Sequence, residues 1–136
     1  MSVLNVYSDG GSRGNPGPSA CAFVVYDKEQ LLYSQSFFLG RTTNNKAEYA
    51  GVVYALEWLI KNKKTSNEIY YYLDSQLIVK QLIGEYRVKD TVLKKMALKI
   101  QSMATVFKKG VKFIHILRDK NVVADKLLNE NLDSNT

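Results

Sequence analysis

The order of the apolar runs narrows this chain most. Val3 to Ser8, Ala20 to Tyr26 and Leu31 to Leu39 each read as a strand, the last two joined by a short polar turn at Asp27 to Gln30. Three strands in succession predict an antiparallel meander. Beyond them, strands alternate with helices. Ala47 to Ile60 is helical, Glu68 to Leu73 a strand, and Ser75 to Ile83 a short helix ended by Gly84. Val92 to Phe107 is a longer amphipathic helix, with Val92, Met96, Lys99 or Ile100, Met103 and Phe107 on its period. Val111 to Leu117 is a fifth strand, and Asn121 can cap a last helix reaching about Leu128, with a frayed polar tail from about Asn129. This order predicts one α/β domain over residues 1–136, a mixed sheet flanked by helices.

Composition sets the partners. With Lys and Arg in excess, the net charge of +6 suits nucleic acid or another polyanion, though a solvated lysine surface would look the same. No apolar run approaches the roughly 20 residues of a membrane span, and nothing near Met1 resembles a signal peptide. Cys21 is the single cysteine and His115 the single histidine, which excludes an intramolecular disulfide and a Cys/His zinc site. A reducing, cytoplasmic setting is expected. His115, Trp58 and Cys21 read as packed residues, and Tyr70-Tyr71-Tyr72 as strand surface and core.

Four acids stand out against the basic background. Asp9 ends the first apolar run beside Gly10 and Gly11, and Asp74 closes the fourth strand. Glu48 lies in a first helical turn, on one face with Val52, Ala55 and Leu59, and Asp125 follows Val122-Val123-Ala124 at the start of the last helix. Each has an ordinary explanation: a turn, a cap, a helix-start acid. Together they place two acids at strand ends and two in first helical turns, positions able to converge at one edge of a sheet. Ionised acids beside apolar surface need compensation, and a metal ion supplies it for several at once. Gly10, Gly11 and Gly14 leave the neighbouring backbone open to a bulky ligand. Arg41-Thr42-Thr43-Asn44-Asn45 offers a guanidinium, hydroxyls and amides suited to phosphates and sugar edges, or simply a capping loop.

Four segments, in order and spacing, resemble the type 1 ribonuclease H family: Tyr7 to Pro18, Thr43 to Tyr49, Leu73 to Gln76 and Asn121 to Asp125. The resemblance covers nearly the whole chain. It implies a ribonuclease H-like fold with five strands, the first three antiparallel and the last two parallel to the first. It implies cleavage of the RNA strand of RNA–DNA hybrids, leaving 5′-phosphate and 3′-hydroxyl ends. Asp9, Glu48, Asp74 and Asp125 would hold two Mg²⁺ ions, Mn²⁺ being an alternative, since hard cations take oxygen ligands. Asn15, Asn44, Asn45 and Gln76 match minor-groove contacts, and Arg41 and Thr43 match a DNA-phosphate region. Gly10 would sit against the substrate.

Two departures accompany the match. Gly84 to Thr91 is too short for the basic protrusion that some members carry, which leaves scattered lysines to supply affinity. The loop before the last acid is only Arg118-Asp119-Lys120, without a mobile histidine, so Arg118 is the candidate to contact the scissile phosphate or assist product release. A monomer without an obligate protein partner is expected. The competing readings are a hybrid-binding module that does not cut and a nuclease that also takes double-stranded RNA.

Overall fold

The computed structural model describes residues 2–136. Five strands, β1 (Val3–Ser12), β2 (Gly17–Asp27), β3 (Gln30–Thr42), β4 (Glu68–Leu73) and β5 (Val111–His115), form one sheet in the order β3-β2-β1-β4-β5. β1, β2 and β3 pair antiparallel, and β4 and β5 join parallel. The meander and the mixed sheet therefore stand as expected. The hairpin strands run longer than their apolar runs, because ladder pairing carries on through polar residues.

Helices α1 (Asn44–Lys61), α2 (Gln76–Leu82) and α3 (Thr91–Ala104) accompany the sheet, and α4 (Val122–Asn135) packs against β1, β2 and β3. α1 buries Glu48, Val52, Ala55 and Leu59, the stripe read from the sequence, against core residues such as Leu4, Val6, Phe23 and Tyr71. α3 differs in detail: its buried face is Leu93, Ala97 and Ile100, one position round from the stripe beginning at Val92, which is exposed. Trp58 is half-buried and stacks on Tyr33 at 4.7 Å, while Cys21 and Tyr71 are buried.

The expected frayed tail is corrected. α4 continues to Asn135, and Leu132 is only 2% exposed, packed with Leu128, Ala20 and Ala22 in a second small core. Ala124, Leu128 and Leu132 recur every four residues, so this stripe continued through a stretch whose polar composition hid it. The Asn131 amide also donates to Ser36 Oγ (3.0 Å), fixing the helix to β3.

Truncating Leu132 to Ala is expected to cost about 2–4 kcal/mol in a urea titration, the range for a buried leucine. An unchanged midpoint would mean that the last turns of α4 do not contribute to the fold.

Candidate active site

Strand alternation brings the first two acids together. Tyr7 and Tyr72 are partners across the parallel β1–β4 ladder and their rings stack at 4.7 Å. Side chains repeat every second residue, so Asp9 and Asp74, each two positions further on, emerge on the same face. The ladder to β4 stops at Tyr7, whereas β1 continues to Ser12 and Asp9 still pairs with Ala22 of β2. Asp9 is thus not at the end of its own strand, as the sequence suggested. It lies where the strand loses one neighbour.

Glu48 arrives from α1. That helix begins at Asn44, capped by Thr43, whose Oγ1 accepts from Lys46 N–H (3.3 Å). Glu48 is therefore in the second turn, and the helix-terminus argument for its charge gives way to a specific contact: Gly10 N–H donates to Glu48 Oε1 (2.6 Å) and to Asp9 Oδ1 (2.9 Å). The approach depends on glycine, since a Cβ at Gly10 would collide with the backbone of Ala47 and Glu48. At Gly51, one turn further along α1, the approach is looser: a Cβ there would make ordinary contacts with Ser8 Cβ (3.4 Å) and Asp9 O (3.5 Å).

Asp74 is held from the far side. Ser75 caps α2 by accepting from Ile78 N–H (3.2 Å), which leaves the Asp74 carboxylate free of capping. Asp74 Oδ2 accepts from Asn121 Nδ2 (3.2 Å), and the same amide donates to Ser8 O (2.9 Å). Asn121 was expected as a side-chain cap for the last helix. Instead it makes no capping bond, is 1% exposed, and ties β1, Asp74 and the start of α4 together.

Carboxylate oxygens of Asp9, Glu48 and Asp74 lie within 4.8 Å of one another. Asp125 sits in the first turn of α4, as expected, on the wall of the same cleft but outside that tight trio. The cleft, of about 470 Å³, is also lined by Gly10, Asn44, Asn45 and Arg118, and by Arg13, Ser75 and Asn129, which the sequence reading did not select. Asn129 Nδ2 donates to Asp125 O (2.9 Å) and Oδ1 (3.3 Å), a pairing that an i, i+4 spacing could have signalled.

The remaining candidates stand apart from this lining. Asn15 Oδ1 accepts from Asn44 N–H (3.0 Å), and Asn44 Oδ1 from Ser12 N–H (2.9 Å), so the glycine-rich loop and the α1 cap are laced together. Arg41 is exposed on β3 opposite Pro18, and Gln76 is exposed at the first position of α2. His115 is exposed at the end of β5, not packed as expected, because its strand is at the sheet's edge.

Burial, reinforced by the Asp74 and Asp125 charges, raises the Asp9 carboxyl from 3.8 to about 7, while hydrogen bonds from Glu48 and Gly10 pull the other way. Burial, then Asp9 itself, pushes Glu48 well above the ordinary carboxylate range. Like charges crowded in a dry site resist joint ionisation. Three oxygen donors so placed fit a hard divalent cation, whose charge would relieve that resistance.

With its folded value raised, Asp9 binds a proton on folding, so metal-free stability loses this contribution as pH rises from about 4 to about 7. In chelator, Asp9→Asn is expected to melt with wild type at about pH 4.5 and several degrees above it at about pH 8. An equal offset at both pH values would contradict the assignment.

The chain matches the family described as reverse transcriptase-like over residues 7–131. It is 36% identical over 131 residues to the bifunctional protein Rv2228c of Mycobacterium tuberculosis, covering 95% of this chain and 35% of that protein. It is 35% identical over 131 residues to ribonuclease HI of Halobacterium salinarum, covering 96% of this chain and 64% of the relative. The chain thus spans about a third of the length of the mycobacterial relatives and just under two thirds of the halobacterial one. Among solved structures, LC11-RNase H1 in complex with RNA/DNA hybrid superposes with a TM-score of 0.91 at 39% identity, over 97% of this chain and 98% of that one. The Halobacterium salinarum RNase H1 superposes at 0.90 with 34% identity, over 98% and 99%.

Proposed function

This chain belongs to the ribonuclease H family, as a reverse transcriptase-like domain of the type 1 kind, and from that premise we propose that it is a metal-dependent endoribonuclease cutting the RNA strand of RNA–DNA hybrids. The observation that carries the proposal is the carboxylate trio of Asp9, Glu48 and Asp74 at the head of a cleft lined by amides and cations.

Asp9, Glu48 and Asp74 would hold divalent metal, with Asp125 completing the set from α4. We take the ions to be two Mg²⁺, with Mn²⁺ able to substitute. The chemistry such metal would supply is activation of a water and stabilisation of the departing 3′-oxygen, which would give 5′-phosphate and 3′-hydroxyl products. The chain's own residues set the geometry. Gly10 N–H holds the Asp9 and Glu48 carboxylates side by side, and Asn121 keeps Asp74 turned towards them. Asn44 and Asn45 line the cleft, and from there they would read the minor groove and its 2′-hydroxyls, the group that separates RNA from DNA. Arg118, which also lines the cleft, would be the cation offered to the scissile phosphate. Asn15, Arg41, Thr43 and Gln76 would meet the duplex further out. The complex of LC11-RNase H1 with RNA/DNA hybrid supports the choice of substrate.

No helix among the described residues is long and apolar enough to cross a membrane. Action as a monomer in the cytoplasm is part of the proposal.

The test compares labelled RNA–DNA hybrid, duplex RNA and duplex DNA of one sequence under one condition. Cleavage is expected in the RNA strand of the hybrid, abolished by chelator. Comparable cutting of duplex RNA would widen the substrate class, and binding without any cutting would make the domain a hybrid-binding module.

Removing the Asn121 amide is a second test. Asn121→Ala is expected to lower kcat at least tenfold with a smaller change in KM, since a carboxylate freed from its partner is no longer preorganised. Unchanged turnover would exclude the positioning role.

A further inference from the structure

Arg13 is a second cation, besides Arg118, that lines the acid cleft. Its backbone is fixed on both sides. Arg13 N–H donates to Pro18 O (2.9 Å), and a Cβ at Gly17 would collide with Arg13 O, so the loop closes only because glycine is there. Its side chain is fixed too. Nη2 pairs with Asp133 Oδ1 at 2.6 Å and reaches Asn129 O at 3.4 Å, while Nη1 reaches Thr136 Oγ1 at 3.4 Å. The last turns of α4 therefore grip a guanidinium that begins in the glycine-rich loop.

Stability does not account for this arrangement. The side chains of Arg13 and Asp133 are 41% and 69% exposed, and ion pairs so open to water contribute little to folding. What the arrangement does is remove the rotamer freedom of a long cation and hold it at the cleft. A guanidinium carries five N–H donors in a planar fork, more than its contacts with α4 use, and the fork suits phosphate.

We infer that Arg13 grips a backbone phosphate of the strand lying in the acid cleft, and that Asp133 is the positioning residue that presents it. The inference rests on the hybrid-cleavage reading and adds a second phosphate contact, built by the end of α4 and separate from Arg118. It also gives the end of that helix a part in substrate binding.

The experiment measures KM and kcat on a labelled RNA–DNA hybrid through a salt series, for wild type, Arg13→Ala, Arg13→Lys, Asp133→Ala and the Arg13→Ala/Asp133→Ala double variant. Arg13→Ala is expected to raise KM about tenfold with little change in kcat, the size of one charge-assisted hydrogen bond. Its dependence of log KM on log salt should become shallower by about one. Arg13→Lys should restore the salt slope but only part of the affinity, since the fork is lost. Asp133→Ala should raise KM by less, and the double variant should be no worse than Arg13→Ala. KM and salt slope unchanged in Arg13→Ala would overturn the inference, including when that variant melts lower. Additive effects in the double variant would overturn the role of Asp133. If wild type neither binds nor cuts the hybrid, the underlying reading fails instead.

Discussion

Everything at the site depends on how closely the backbone of β1 approaches that of α1. At Gly10 there is no room for a side chain, since a Cβ would collide with the Ala47 backbone. That proximity lets one backbone N–H serve two carboxylates from different elements. Move the helix outward by the thickness of a methyl group and Glu48 leaves Asp9. The acid trio is thus a consequence of backbone packing before it is a feature of electrostatics.

Electrostatics then sets the site against the rest of the molecule. The chain is strongly basic, yet it gathers acids where burial already disfavours charge. Such an arrangement is costly to folding unless a cation joins it, and strained groups of this kind mark functional sites. The same contrast directs a polyanion: cations over much of the surface attract it, while the acids repel phosphate wherever metal does not intervene. Arg13 and Arg118, on the cleft wall, would ease that repulsion where the strand enters.

Much of this was legible in the residues. The meander, the alternation after it and the α1 stripe from Glu48 to Leu59 follow from period and punctuation, and the acids' joint placement at one edge followed from them. What escaped was tertiary. β1 outruns its apolar segment because β2 keeps pairing with it, so Asp9 looked terminal. Asn121 has the composition of a cap, but the carboxylate of Asp74 and the Ser8 carbonyl compete for its amide. His115 alternates like a core residue, and only the sheet order reveals an edge strand. Leu132 lay within a run of Asn, Glu, Asp and Ser, where local polarity outweighed a four-residue repeat. Arg13 showed no signal, because its partners are over a hundred residues away.

The central claim is that the clustered carboxylates of Asp9, Glu48 and Asp74 serve the hydrolysis and do not merely organise a binding surface. Asp9→Asn and Asp74→Asn keep the shape of the site while removing one charge each. Binding and single-turnover cleavage of one labelled hybrid in Mg²⁺, measured side by side for wild type and both variants, address the claim directly. The account predicts that the variants bind the hybrid within a few-fold of wild type and cut it at least a hundredfold more slowly, roughly the loss expected when a metal-holding group is removed. Cleavage at the wild-type rate in either variant would contradict it.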